Sequence, residues 1–64
     1  HNIGIAEVLL LPDSSLANVM VKDCGFREKF GVNILGIQRH DTYIIHNLKD
    51  QKIHNGDSLL IQGE

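Results

Sequence analysis

Four histidines, one cysteine, a pair of serines and a few carboxylates are the residues of this chain whose types can do chemistry. A zinc site needs three or four ligands at set spacing. His40, His46 and His54 stand six and eight apart, and Cys24 has no second cysteine to join it. That is not the i, i+4 spacing that puts two histidines on one helix face, so they read as loop residues. Cys24 with a histidine base would make a nucleophile. A single cysteine near a helix end in so short a chain reads instead as a small core residue. Ser14-Ser15 lacks the glycines of a nucleophile elbow. Glu7 falls in a strand and Asp57 in a turn, which leaves no carboxylate pair and no further acidic ligands to make Asp57 a calcium site. Gly25, Gly31 and Gly36 do not spell the dinucleotide fingerprint. The expectation is a chain that is not an enzyme and holds no metal.

Two residues have binding rather than catalytic chemistry. Arg27 leaves a short helical turn, and Asn33 opens the strand that follows. An arginine offers a fork to phosphate, and an asparagine offers an amide to a base or ribose. From residue types alone, a solvated surface arginine and a turn asparagine are the favoured reading. Gly56-Asp57 reads as architecture: glycine takes the positive φ of a tight turn, and the aspartate side chain bonds the turn's own backbone.

The elements that must position these residues follow from apolar runs and turn residues. Ala6 to Leu11 is short, apolar and stopped by Pro12, and reads as a strand buried on both faces. Pro12 to Ser15 is turn chemistry. Asn18 is placed to cap a short helix from Val19 to Cys24, with Gly25 in the left-handed position that ends it. Arg27 to Phe30 forms a second helical turn, closed by Gly31. Asn33 to Arg39 is a central strand in which Gly36 lets a neighbour approach closely. His40-Asp41 turns the chain into Thr42 to Ile45, completing a hairpin. Asn47 to Lys52 is polar and looped, Asn55-Gly56 is a strong turn signal, and Ser58 to Gln62 is the last strand. The order β-α-β-β-β predicts an α+β fold: a small, mostly antiparallel sheet with one or two short helices on one face.

Bulk properties set limits on partners. Sixty-four residues make one small domain, which buries only about 60% of its unfolded surface, so pairing with another domain or copy is expected. A start at His1 rather than Met reads as a piece of a longer chain, or as a tag remnant. Six basic residues in a net charge of −2 are too few and too scattered for a phosphate-backbone footprint, so no nucleic acid is expected. One cysteine and no disulfide framework suit a reducing compartment. No apolar run approaches the ~20 residues of a membrane span.

Taken together, Glu7-Val8, Ser15-Leu16, the run Phe26-Arg27-Glu28-Lys29-Phe30-Gly31-Val32-Asn33-Ile34-Leu35-Gly36-Ile37-Gln38-Arg39 and the run Asn55-Gly56-Asp57-Ser58-Leu59-Leu60-Ile61-Gln62-Gly63 resemble the TrkA C-terminal domain family, also called RCK C-terminal. The resemblance spans Ala6 to Gly63 and makes residues 1–64 a single such domain. The chain departs from the family pattern at Asn18-Val19-Met20-Val21, where Gly-Lys-Thr/Ser-Leu is frequent, and at Cys24, where Leu is usual. The resemblance implies a regulatory module on the cytoplasmic side of an inner or plasma membrane. There it would pair as a homodimer or as tandem domains and be attached to a membrane-embedded transporter portion of the same chain. The long central run is similar to versions inserted in divalent-anion:sodium symporters. The alternatives are the C-terminal domain of a potassium channel or uptake subunit, and a purely structural pairing module. In nucleotide-responsive relatives cyclic di-AMP sits between two copies. The resemblance places its arginine and asparagine contacts on Arg27 and Asn33, whereas a histidine that helps in some relatives is replaced near Thr42.

Overall fold

Four apolar segments separated by turn residues become strands: β1 (Gly4–Leu9), β2 (Val32–Arg39), β3 (Thr42–Ile44) and β4 (Ser58–Gly63). The computed structural model describes residues 4–63, so His1 lies outside the described residues. The strands lie in the order β1-β4-β2-β3, and each neighbouring pair is antiparallel. One helix, α1 (Phe26–Phe30), precedes β2, and two 3-10 turns cover Val21–Asp23 and Leu48–Asp50. This is the α+β architecture that the sequence predicts, a small antiparallel sheet with one short helix, while the spatial order of the strands follows from their pairing alone.

One extra residue decides which way β2 faces. Ile34 pairs with Ile61 and Gly36 with Leu60, so Leu35 is a bulge with no opposite number. A bulge reverses the side-chain alternation beyond it. Val32, Ile34 and Ile37 are therefore opposite Gly63, Ile61 and Leu59, all on one face. Val8 of β1 and Ile44 of β3 join that face through their pairing with Leu59 and Ile37. Phe26 from α1, Ile53, Leu10 and Cys24 cover it, and Ile37, Leu59 and Ile53 are wholly buried. Gly36 points the other way, and a Cβ there would stand 2.7 Å from the Tyr43 ring. The missing side chain lets Tyr43 lie across the sheet, the close approach foreseen for this glycine.

Two local expectations differ from the structure. No helix runs from Val19 to Cys24, and Asn18 caps nothing: its φ is +68° and only Val21–Asp23 is helical, as a 3-10 turn. Tertiary hydrogen bonds have taken the backbone groups a helix would use. Asn18 N–H donates to the Ile53 carbonyl (2.6 Å), Ile53 N–H to Val19 (2.9 Å) and Val21 N–H to Gln51 (2.8 Å). Val19, stiff at χ1, favours this extended pairing. Gly25 does take the left-handed conformation, at φ +78°, immediately ahead of α1. Nor is the first strand buried on both faces. It is the sheet edge, it runs Gly4–Leu9 rather than Ala6 to Leu11, and Ile5 and Leu9 are exposed. An apolar run by itself does not distinguish an edge strand from a central one.

The turn into β4 needs glycine. Gly56 has φ +83°, and nothing lies within 4 Å of a Cβ placed there, so substitution costs backbone strain alone. Gly56→Val should lose about 1–2 kcal/mol, read as a lower urea midpoint with an unchanged denaturant slope.

Candidate functional site

β3 is three residues long and pairs with Ile37 to Arg39. Among the described residues the first half of β2 therefore has β4 on one side and no strand on the other. Val32, Asn33 and Ile34 there line an open groove of about 510 Å³, completed by the start of α1 and by both 3-10 turns. Arg27 and Asn33, far enough apart in sequence to have ended on different surfaces, both line it. α1 buries only Phe26, which leaves Arg27 exposed at the groove.

The groove has further polar residues that no sequence motif singles out. Lys22 comes from the first 3-10 turn, Lys49 from the second, and Asn47 precedes the second turn with φ +53°. Phe26, Val32, Ile34 and Leu48 supply apolar surface. Among the described residues Glu28 is the lone carboxylate of the lining, against Lys22, Arg27 and Lys49. The one ion pair among the described residues is elsewhere, so these three cations have no carboxylate partner among them. Such a groove suits an anion with an apolar body. Among the described residues no three of His, Cys, Asp and Glu come together as a metal site. Cys24 is buried in the core.

A second hollow, of about 420 Å³, is lined entirely by apolar side chains: Val8, Leu16, Phe26, Phe30, Val32 and Ile61. Phe30 is 67% exposed and meets Phe26 edge-to-face, with ring centroids 5.6 Å apart. Phe26 and Val32 belong to both hollows, so α1 and the start of β2 separate a polar groove from an apolar one.

Asp57 holds the turn, as its sequence context implies, and does more. Its carboxylate accepts from the His54 N–H at 2.8 Å, and its own N–H donates to the His54 carbonyl at 3.1 Å. The same carboxylate takes both forks of Arg39: Nε to Oδ1 at 3.0 Å and Nη2 to Oδ2 at 2.9 Å. Nη2 also donates to the Lys52 carbonyl at 2.8 Å. Asp57 is 1% exposed. Burial alone would raise its pKa. The Arg39 hydrogen bonds, the His54 amide and the charges of Arg39 and His54 outweigh that and hold it below the ordinary carboxylate value. Arg39 is raised in turn, by its bond to Asp57 first, against the opposing effect of burial. Arg39 and Asp57 are in the sequence motifs quoted above, but nothing local joins the end of one strand to the turn before another.

Comparison with protein families matches residues 5–64 to the TrkA-C domain. Among curated proteins, the chain is 34% identical over 62 residues to the uncharacterized transporter YfbS of Escherichia coli (strain K12), covering 97% of this chain and 10% of that protein. It is 36% identical over 59 residues to the uncharacterized transporter sll0640 of Synechocystis sp. (strain ATCC 27184 / PCC 6803 / Kazusa), covering 92% of this chain and 10% of that protein. The chain thus spans about a tenth of the length of the curated relatives it matches.

The ion pair yields two measurable consequences. Arg39→Met leaves a buried carboxylate without its cation, a loss of about 3 kcal/mol or more. A single core of this size supplies roughly 3–5 kcal/mol, so circular dichroism should find the variant largely unfolded. Adding Asp57→Asn, which keeps an acceptor for His54, should recover part of the loss. Because the folded pKa of Asp57 is depressed, its contribution is complete above the unfolded value, about 3.9, and is lost as pH falls through the lower native value. Urea midpoints should therefore drop in acid below about pH 4, and Asp57→Asn should remove that part of the slope.

Proposed function

The chain belongs to the TrkA-C domain family, and from that premise we propose that it is the cytoplasmic regulatory domain of an ion-coupled membrane transporter of the sodium/divalent-anion symporter kind. The observation that carries this reading is the family match over residues 5–64, joined to two relatives named as transporters in which the matching segment is a tenth of the chain. No described helix is long and apolar enough to cross a membrane, so the transport path would be built by other parts of the same chain. The domain's role would be binding, with no catalytic step.

The effector is proposed to be an anionic nucleotide, with cyclic di-AMP as the candidate, held by Arg27 and Asn33 in the groove beside β2. The domain is proposed to pair with a second copy or a tandem domain. The wholly apolar hollow beside Phe30 supports pairing, because apolar surface of this kind gains by leaving water. Phe26 and Val32 line both hollows, so an effector that seats against them bears on the same side chains as a paired domain. Regulation would then be a population shift: the effector favours the arrangement it binds better, and the membrane portion reads that arrangement.

Titration of cyclic di-AMP into the intact protein tests the site. Arg27→Ala should keep the parent's melting temperature, since the side chain is exposed, and weaken binding roughly tenfold or more, as expected for a charge-assisted hydrogen bond. Equal affinity in parent and variant would remove Arg27 from the site. Sodium-dependent sulfate uptake into vesicles tests the transporter class, and potassium uptake in its place would point to the potassium-linked branch.

A further inference from the structure

Building on the reading of the groove as an effector site, we propose that Lys22 and Lys49, which line the groove with Arg27, form a second anion-holding element. The effector then carries at least two negative charges around an apolar or aromatic body. The three cations reach the groove from three separate elements: α1 and the two 3-10 turns. None has a carboxylate partner among the described residues, and Glu28 is the one acidic side chain in the lining. Like charges around one hollow repel, and a single negative charge would leave that repulsion partly in place. Two or more negative charges relieve it.

The two lysines also start from fixed backbone. Val21, next to Lys22, donates its N–H to the Gln51 carbonyl at 2.8 Å, and Gln51 donates its own to Leu48, next to Lys49, at 3.0 Å. The two turns are thus tied to each other, and their lysines are presented together although they are distant in sequence. Between these cations the lining is apolar, with Leu48, Ile34 and Phe26 contributing. The chemistry divides accordingly. Arg27 offers a planar fork to one anionic group, and the lysines are point charges that accept a second group in less restricted geometry. The apolar floor takes the body that joins them.

The test is calorimetric titration of cyclic di-AMP, ATP, inorganic pyrophosphate and adenosine into the intact protein and into Lys22→Ala, Lys49→Ala, Lys22→Arg, Lys49→Arg and Arg27→Ala. Either cyclic di-AMP or ATP should bind the parent, pyrophosphate should compete weakly, and adenosine should not compete. Each lysine-to-alanine change should lower affinity about three- to tenfold at unchanged melting temperature, the range for an exposed to half-desolvated charge contact. Each should also flatten the salt dependence of binding, and the arginine variants should restore most of both. Parent-like affinity and salt dependence in Lys22→Ala and Lys49→Ala, with Arg27→Ala weakened, would overturn this proposal and leave the effector site standing. Tight binding of adenosine would overturn the charge requirement. If none of the four compounds binds the parent, the effector site and this proposal fall together.

Discussion

A carboxylate almost removed from water has to be answered by a cation, and in this domain the answer organises the fold around it. Asp57 sits where the chain enters β4, and Arg39 where it leaves β2. Their bidentate pairing pins two neighbouring strands at one end of the sheet. The core it adjoins is small, with six buried apolar side chains among the described residues. Leaving a charge unpaired there costs several kcal/mol, comparable to everything such a core supplies. Folding and pairing of the two charges therefore cannot be separated.

The consequences extend beyond the pair. Arg39 also holds the Lys52 carbonyl, in the segment whose neighbours Gln51 and Ile53 bond the backbone of Asn18, Val19 and Val21. That short ladder replaces the helix the local sequence suggests. It also sets the two 3-10 turns side by side, and those turns bring Lys22 and Lys49 to the groove. One buried ion pair, a loop carbonyl and three backbone hydrogen bonds thus connect the sheet to the surface on which binding is proposed.

The groove exists because of what the sheet leaves unfilled. β3 stops after three residues, so the first half of β2 has a free side. The Leu35 bulge turns Val32 and Ile34 toward the same face as Ile37, so the strand contributes to the core along its length while its edge remains open. α1 stands at the boundary, with Arg27 toward the polar groove and Phe26 shared with the apolar hollow. A helix of five residues with a left-handed glycine at each end is held by the packing of Phe26 rather than by its own hydrogen bonds. Both hollows therefore border the contacts that hold it in place.

The sequence by itself determined the elements whose causes are local. Gly31 ends α1, His40-Asp41 turns the β2–β3 hairpin, and Asn55-Gly56 turns the chain into β4. Each was legible because a backbone conformation or turn is set by the residues that occupy it. The TrkA-C pattern was legible for the same reason, since its motifs lie in these turns and strands. The tertiary structure alone decided the rest. An apolar run does not say whether it is an edge, which is why β1 looked buried on both faces. A bulge is set by the partner strand, so Leu35 was unremarkable in sequence. Asn18 had the chemistry of a helix cap, but hydrogen bonds to Ile53 and Gln51 claimed the surrounding backbone. The pairing of Arg39 with Asp57, and the gathering of Lys22 and Lys49 beside Arg27 and Asn33, depend on contacts between segments remote in the chain, which no local preference encodes.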